Sequence, residues 1–303
     1  MKKVVITGAT GAIGMALIQK CIEEGIEVLA LCHRNSKRVK QLPNSPLVRI
    51  EYCNLNELFS FNSEDLDYEV FYHFAWEATW GKDRDDVSLQ MKNIQYSLDA
   101  VKLAFRMGCK RFIGAGSQAE YGRHEDMLRP DTPTFPENGY GIAKLCAGQM
   151  CRLLCEQYGM ACIWVRVLSV YGPYDGMNTM VSSVLRKLLK NEDVSLTKGE
   201  QFWDYLYSKD AAEAFFMLGD KGKAGEIYVL SSGEARRLVE YVEIMKSVSG
   251  YKKKIGYGDI AYSPKQIMYL RGDISELTGD TGFVPKISFE DGIEKTIKWM
   301  CGL

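Results

Sequence analysis

Tyr140 and Lys144, four positions apart, are the two residues of this sequence whose types and spacing best suit chemistry. On a helix this spacing places both side chains on one face. A lysine ammonium near a phenol stabilises the phenolate and so lowers a pKa that is normally about 10. We therefore expect Tyr140 to exchange protons near neutral pH as a general acid or base.

A hydroxyl residue, Ser117, precedes this pair in the chain. It follows a predicted strand over residues 110–116, and ligands of open parallel sheets bind just beyond the carboxyl ends of the strands. A tyrosine and a lysine four apart also occur by chance, but here they follow Ser117 and a glycine-rich turn in a specific order. Together the three residues predict a proton-transfer site. His73, inside an apolar strand, is interpreted as a core residue and not as a catalytic base.

The glycine-rich turn lies near the start of the chain, between a β-branched strand and a helical pattern. Gly8 permits a sharp turn, Gly11 leaves room for a pyrophosphate against the backbone, and Gly14 lets the helix pack close to the strand. The free amides and the dipole at the start of the helix favour an anion. The pattern predicts a dinucleotide site, and the alternative is a glycine turn without a ligand. The predicted cofactor contacts are Thr7, Gly8, Gly11, Ala12, Ile13 and Gly14.

The end of the second predicted strand, residues 26–32, would face the adenosine ribose of such a cofactor. An acidic residue there binds the 2′-hydroxyl of NAD(H), whereas a basic residue accommodates the 2′-phosphate of NADP(H). The following turn has no acid and carries the fixed charges of Arg34, Lys37 and Arg38. We expect NADP(H) to be preferred with Arg34 as its contact, NAD(H) being the alternative, and Asn54 to bond the adenine edge. A solvated basic turn without a function is the other interpretation.

Strands and helices alternate along most of the chain, which predicts an α/β fold with a doubly wound, parallel, Rossmann-type sheet. We expect the dinucleotide-binding domain to comprise residues 1–172 and about 206–232. Residues of about 173–205 and 233–303 are expected to form a smaller, interleaved C-terminal substrate lobe. Neither a repeat nor a low-complexity linker separates the two.

The composition is that of an ordinary globular enzyme, with 46% hydrophobic and 25% charged residues. The net charge of −1, with no basic block, gives no electrostatic reason to expect nucleic acid or a membrane as partner. No apolar stretch is long enough to span a bilayer, and a strand that begins at Val4 leaves no room for a secretory signal. The nine cysteines lack metal-ligand spacing, so we expect reduced thiols, no metal and a cytoplasmic location.

Four motifs together are similar to those of the extended short-chain dehydrogenase/reductase family, which includes nucleotide-sugar epimerases, dehydratases and reductases. They are the glycine-rich turn, Ser117, Tyr140-x-x-x-Lys144 and Val170-Tyr171-Gly172-Pro173. The resemblance implies that Tyr140 is the catalytic acid/base, that Lys144 holds the nicotinamide ribose, and that Ser117 bonds the reacting oxygen. It also implies a nucleotide-sugar substrate and a homodimer through the helices near 86–107 and 140–158.

Arg271 resembles the arginine that often grips the substrate diphosphate in this family. A bidentate guanidinium suits that role, although a solvated surface arginine is an equally good interpretation. One position of the C-terminal part departs from the family pattern, since Trp203 stands where an arginine commonly precedes the aspartate.

The residues after Ser117 also depart from the family pattern. Dehydratases of the family usually carry an Asp-Glu pair where this chain has Gln118 and Ala119, so dehydration is the least expected reaction. The NADP(H) preference favours a reductase, and the runs 72–76 and 116–122 resemble those of sugar-nucleotide reductases of the CDP-abequose synthase type. We expect reduction of an NDP-4-keto-6-deoxyhexose, with a nucleotide-sugar 4-epimerase as one alternative and a non-catalytic dinucleotide sensor as another.

Overall fold

The computed structural model describes residues 1–63 and 65–302. Its longer strands are β1 (Lys3–Thr7), β2 (Glu27–Cys32), β3 (Val48–Tyr52), β4 (Val70–His73), β5 (Arg111–Ser117) and β6 (Ala161–Val167). Shorter strands follow, namely β7 (Ser169–Tyr171), β8 (Ser195–Leu196), β9 (Phe202–Trp203), β10 (Tyr205–Tyr207), β11 (Ile227–Leu230), β12 (Arg236–Arg237) and β13 (Gly256–Tyr257). The helices are α1 (Ala12–Glu23), α2 (Val87–Arg106), α3 (Gly139–Gln157), α4 (Met180–Leu189), α5 (Ser208–Lys221), α6 (Leu238–Ser249), α7 (Ser275–Thr281) and α8 (Phe289–Cys301).

A seven-stranded sheet with the order β11-β6-β5-β4-β1-β2-β3 forms the centre of the protein. All its neighbouring strands run parallel. The chain progresses outward in one direction from β1 to β3 and in the other from β4 to β11. The order reverses between β1 and β4, which is where open parallel sheets bind ligands. This topology confirms the α/β, doubly wound fold class.

Alternate side chains of the sheet enter two different cores, as a strand buried on both faces requires. Val4 and Ile6 of β1 pack among the residues of α1 and α5. Val5 lies on the other face, together with residues of α2 and α3. The fully apolar strands predicted from the sequence are therefore covered by helices on both sides.

The ends of the helices follow from local residue chemistry. Asp86 accepts a hydrogen bond from the Leu89 amide at the start of α2, and Asn138 accepts one from the Gly141 amide at the start of α3. Gly25 and Gly108, which follow α1 and α2, have positive φ angles of 71° and 81°. Glycines end these two helices, because other residues rarely adopt that conformation.

A separate cluster of buried side chains forms between α4, α6 and α8. Tyr171, Tyr205, Tyr241 and Phe289 pack there with ring centroids 4.5–6.0 Å apart. These helices belong to the segments expected to form the substrate lobe, whose boundaries stay a prediction. Within residues 1–63 and 65–302, no helix is long and apolar enough to cross a membrane.

The indole of Trp164 in β6 occupies space that three glycines leave open. A Cβ atom on Gly114 or Gly116 of β5 would overlap the indole, and one on Gly148 of α3 would lie 2.7 Å from its Cε2. Glycine in a strand or helix interior is unfavourable by itself, so these positions are explained by the close approach of the ring.

We predict that Gly148→Ala lowers stability although alanine is the better helix former. The helix-propensity gain of about 1 kcal/mol is smaller than the 1–3 kcal/mol that overpacking typically costs. Gly279→Ala in α7 is the matched control, because a Cβ atom there meets nothing within 4 Å. Urea unfolding should show a lower midpoint for Gly148→Ala and a higher one for Gly279→Ala. An equal rise in both would contradict the packing argument.

Candidate active site

The glycine-rich turn brings the end of β1 against the end of β4. Gly8 has a φ of +69°, and a Cβ atom on it would lie 2.8 Å from the Ala75 backbone nitrogen. A Cβ on Gly14 would overlap the Gly8 carbonyl oxygen, so the first turn of α1 packs directly on the loop. Both glycines therefore have the packing roles predicted from the sequence.

The start of α1 opens into a cleft of about 290 Å³. The cleft is lined by the β1–α1 turn, the end of β2 and residues 74–77 after β4. Gly11 precedes α1 without a capping side chain, and a Cβ on it would meet only the Gly8 carbonyl oxygen, at 3.5 Å. The amide end of the helix that begins with Ala12 and Ile13 thus borders the cleft with no side chain in front of it. These residues fit a dinucleotide diphosphate.

Thr7 and His73 form a buried pair at the base of this cleft. The Thr7 Oγ1 lies 2.9 Å from the His73 Nδ1 and also accepts a hydrogen bond from the Ala75 amide. The other ring nitrogen of His73 lies 3.4 Å from the Ser97 hydroxyl. Burial, followed by the charge of Lys144, lowers the pKa of His73 to about 3. His73 is a neutral core residue with two partners, in agreement with its interpretation from the sequence.

Arg34 and Asn54 contact each other beyond the end of β2. The Arg34 backbone amide donates to the Asn54 Oδ1 at 3.1 Å, and the Arg34 Nε donates to the Glu57 carboxylate at 3.1 Å. The Arg34 side chain is 55% exposed. Nearby, Arg38 donates to the Tyr174 carbonyl. The basic turn is therefore partly neutralised by Glu57, a partner that the sequence analysis did not anticipate.

Ser117, Tyr140 and Lys144 come together at the carboxyl end of β5. Ser117 is the last residue of β5, and the first turns of α3 carry Tyr140 and Lys144. The Lys144 Nζ donates to the Ala115 carbonyl at 2.7 Å and lies 5.8 Å from the centre of the Tyr140 ring. The structure thus joins the three residues that the sequence predicted to act together.

Burial dominates the proton affinities of this group. It raises the pKa of the Tyr140 phenol, while the Ser117 hydroxyl and the Arg84 guanidinium act to lower it and Glu120 raises it further. Burial also lowers the pKa of Lys144 to about 7, against the opposing influence of Glu120. These directions correct the prediction that Lys144 brings the Tyr140 pKa down toward neutrality. The groups that act to lower the Tyr140 pKa are Ser117 and Arg84, and their effect is smaller than that of burial.

One aromatic and one cationic residue, both in the segment after β4, also contact the site. The Trp76 indole lies under the Lys144 ammonium, with Nζ 3.7 Å from the ring centroid, and meets the Tyr140 ring edge-on. The Arg84 guanidinium carbon lies 4.7 Å from the centre of the Tyr140 ring. Sequence reasoning missed both residues. The position of Trp76 just beyond a strand end was a usable signal, whereas Arg84 carried none.

Glu120 is a fully buried carboxylate directly behind the site. It accepts hydrogen bonds from the Ser117 amide at 2.8 Å, the Trp164 indole at 3.0 Å and the Arg166 Nε at 2.8 Å. The Ser117 hydroxyl in turn accepts from the Ala119 amide, which completes a capping box. The pattern Ser-x-x-Glu was present in the sequence and could have identified this contact.

Arg271 and Trp203 lie in the C-terminal half of the chain, outside the seven-stranded sheet. The exposed Arg271 donates from Nε to the Gly233 carbonyl at 3.0 Å, and its role toward a substrate diphosphate stays a prediction. The Trp203 indole donates to the Ser169 hydroxyl at 2.7 Å. The neighbouring Asp204 is buried and accepts from Ser232, Gly233 and Gly272, so it ties together the loops of this region.

Residues 4–231 match the profile of the NAD dependent epimerase/dehydratase family. This match covers well over half of the chain. The chain belongs to this family. The match includes the glycine-rich turn, Ser117, Tyr140 and Lys144, so the resemblance read from the motifs is confirmed. The protein is therefore an enzyme of an NAD-dependent family.

Several members of the epimerase/dehydratase family are similar along their whole length. CDP-abequose synthase of Salmonella muenchen is 27% identical over 301 residues, covering 98% of this chain and 97% of its own. The dTDP-4-dehydro-6-deoxyglucose reductase of Escherichia coli is 24% identical, covering 97% and 96%. The UDP-glucuronic acid 4-epimerase of Bacillus cereus, solved with UDP-glucuronic acid and NAD, superposes with a TM-score of 0.87 at 20% identity, covering 99% of both chains.

The buried Lys144 predicts a pH-dependent difference in stability between the protein and its Lys144→Met variant. The unfolded chain holds the Lys144 proton up to about pH 10.5, whereas the folded chain holds it only to about 7. Removal of the ionisable group should therefore stabilise most below pH 7. The gain should fall between pH 7 and 10.5 by up to about 1.4 kcal/mol per pH unit.

Urea unfolding of both proteins at pH 6.5 and 9.5 measures this difference. The lost hydrogen bond to Ala115 adds an offset that does not change with pH and so cancels from the comparison. A difference in unfolding free energy that is equal at the two pH values would show that Lys144 keeps an ordinary pKa.

Proposed function

We propose that the protein reduces the keto group of an NDP-4-keto-6-deoxyhexose with NADPH. The observation that carries the proposal is the group formed by Ser117, Tyr140 and Lys144 beside the cleft at the glycine-rich turn. In the sequence, Ser117 is followed by two residues that cannot transfer protons. Gln118 and Ala119 have no ionisable side chain. The residues after Ser117 therefore offer no Asp-Glu pair to act beside Tyr140, which suits reduction of a ketone better than dehydration.

The nearest carboxylate does not supply a second acid or base. Glu120 is fully buried and holds the Ser117 amide, Trp164 and Arg166 on its two oxygens. A buried carboxylate whose two oxygens are both occupied by these donors is not available to abstract a ring proton. This argument disfavours dehydration, which requires a proton to leave carbon and a hydroxyl to be protonated.

The side chains of this site divide the reaction between them. The nicotinamide, when bound, supplies a hydride to the carbonyl carbon. Tyr140 donates its phenolic proton to the carbonyl oxygen, Ser117 hydrogen-bonds that oxygen, and the resulting phenolate regains a proton from solvent. Lys144, which lies on the face of the Trp76 indole, would hold the nicotinamide ribose, as the resemblance to the family implies.

The names of two relatives support this choice. CDP-abequose synthase and dTDP-4-dehydro-6-deoxyglucose reductase match along nearly the whole chain. A nucleotide-sugar 4-epimerase is the second candidate, favoured by the UDP-glucuronic acid 4-epimerase whose fold superposes on this one. Epimerases use the same three residues, so the difference lies in whether the cofactor is consumed.

We predict net oxidation of NADPH when the purified protein meets its keto-sugar. The assay incubates it with NADPH and a panel of CDP-, UDP-, dTDP- and GDP-linked 4-keto-6-deoxyhexoses and ordinary hexoses. Absorbance at the NADPH maximum and product identity are followed together. Stoichiometric oxidation with a keto-sugar supports reduction, whereas interconversion of ordinary hexoses without net cofactor change would establish the epimerase.

Tyr140→Phe is the control variant for this assay. It should lose roughly 10²- to 10⁴-fold in turnover, the effect of a positioned acid/base, while cofactor binding survives. Turnover close to that of the unmodified protein would remove Tyr140 from the mechanism.

We also propose that NADP(H) is preferred over NAD(H), through Arg34. In the structure Arg34 bonds Glu57, but both side chains are partly exposed, and exposed ion pairs contribute only about 0–1 kcal/mol. A 2′-phosphate with two charges can replace the carboxylate at this small cost. The guanidinium geometry suits a phosphate as well as a carboxylate.

Arg34→Ala and Glu57→Gln should change NADPH affinity in opposite directions. Loss of the guanidinium should weaken NADPH binding about tenfold and leave NADH unchanged, since a charged hydrogen bond contributes about 1.5–3 kcal/mol. Glu57→Gln frees Arg34 and keeps an acceptor for the Asn54 amide, so NADPH should bind more tightly. Fluorescence titrations measure both. Equal losses for both cofactors in Arg34→Ala would identify a solvated turn.

A further inference from the structure

The cation nearest to the Tyr140 ring is not the lysine of its own helix. The Arg84 guanidinium carbon lies 4.7 Å from the ring centroid, whereas the Lys144 Nζ lies 5.8 Å away. Lys144 is also engaged elsewhere, since it donates to the Ala115 carbonyl and lies on the Trp76 indole. Arg84 therefore has the more direct contact with the π-face of Tyr140.

The two cations differ in how long they stay charged as pH rises. A guanidinium remains protonated at every pH at which proteins work. Lys144 loses its proton near pH 7 because it is buried. Burial thus favours the neutral form of Lys144, and the guanidinium is the more persistent cation beside the phenol.

The loop that carries Arg84 is fastened to the helix that carries Tyr140. Arg84 lies in a 3₁₀ turn, Lys82–Asp85, and the Asp85 carboxylate accepts a hydrogen bond from the Gly139 amide at 2.7 Å. Gly139 directly precedes Tyr140, and a Cβ atom on it would lie 3.3 Å from the Asp85 Cα. A hydrogen bond between the residue after Arg84 and the residue before Tyr140 thus holds the two segments together.

One hydrogen-bond donor of the Arg84 guanidinium is also left unused by the described residues. The Arg84 Nε is buried and has no hydrogen-bond partner among residues 1–63 and 65–302. Buried polar atoms without partners are rare in folded proteins and call for an explanation. A positive group held against a phenol ring, rather than satisfied by a carboxylate, stays free to interact with negative charge that develops there.

We propose that Arg84 is a positioning residue that stabilises the phenolate of Tyr140 during proton transfer. This proposal rests on the proposed function, in which Tyr140 gives its proton to the carbonyl oxygen and becomes negatively charged. A cation over an aromatic face is attracted to the ring, and more strongly when the ring carries a charge. The other groups that face Tyr140 are the Ser117 hydroxyl, the Glu120 carboxylate and Lys144.

The test measures ionisation at position 140 directly, without substrate. 3-Fluorotyrosine replaces Tyr140, and its ¹⁹F resonance is followed as pH rises, because the fluorine makes the phenol more acidic and its titration accessible. Arg84→Gln should raise the midpoint by about 1 unit or more, as expected for loss of an opposite charge at this distance. Arg84→Lys should restore part of the shift.

Two control variants separate Arg84 from other positive charges. Lys82→Gln removes an exposed cation from the same turn and should leave the midpoint unchanged. Lys144→Met should raise the midpoint less than Arg84→Gln does, because Lys144 lies farther from the ring and burial disfavours its charged form. An unchanged midpoint in Arg84→Gln, or an equal rise in Lys144→Met, overturns the proposal. Near-UV circular dichroism checks the folding of each variant. If Arg84→Gln fails to fold, Arg84→Met, which keeps the aliphatic contact without the charge, takes its place.

Activity gives a second readout that a merely structural role would not produce. With the keto-sugar substrate, the alkaline limb at which Tyr140 loses its proton should move to higher pH in Arg84→Gln. kcat should fall while the affinity for NADPH is kept. If no nucleotide sugar in the panel reacts, the proposed function fails but the ¹⁹F titration still decides the role of Arg84. If reduction proceeds and the midpoint does not move, only the Arg84 proposal fails.

Discussion

The buried carboxylate of Glu120 is the interaction on which the arrangement of the site depends. Its oxygens hold the Ser117 amide at the end of β5 and the Trp164 and Arg166 side chains of β6. Loss of one partner would leave a charge in the protein interior, which typically costs about 3–5 kcal/mol. The position of Ser117 is therefore determined by a network behind the sheet, and the glycines around Trp164 make room for that network.

The proton chemistry of the site follows from the same burial. A phenol and an ammonium withdrawn from water both favour their neutral forms, which raises the pKa of Tyr140 and lowers that of Lys144. A charge that appears on Tyr140 during the reaction must therefore be stabilised locally. Arg84, Ser117 and Lys144 surround the phenol, and of the two cations Arg84 lies nearer to the Tyr140 ring.

The two ends of the cleft show a contrast in electrostatics. At the catalytic end, ion pairs and hydrogen bonds are buried and their geometry is closely determined. At the adenosine end, Arg34 and Glu57 meet in partial contact with solvent, where each charge can exchange partners at little cost. The proposed discrimination between cofactors accordingly rests on one or two exposed contacts, while the glycine-rich turn is expected to accommodate the part that NAD(H) and NADP(H) share.

The sequence by itself determined the fold class and the members of the central site. Apolar strands in alternation with helical patterns specified a doubly wound sheet, and the glycine spacing specified the turn at its switch point, because both depend on local periodicity and backbone freedom. Ser117, Tyr140 and Lys144 were identifiable since their strand and helix positions fix where they meet. The reaction and cofactor preference inferred from them stay predictions.

Only the tertiary structure decided what surrounds these residues. The Arg34–Glu57 pair joins residues from two separate loops, and Arg84 reaches Tyr140 from a turn more than fifty positions earlier, so no local pattern announces either contact. The pKa of Tyr140 is also raised, whereas its four-residue spacing to Lys144 led us to expect it to be lowered. That spacing reports a shared helix face, whereas pKa values depend on burial and on charges contributed by distant segments, which exist only once the chain has folded.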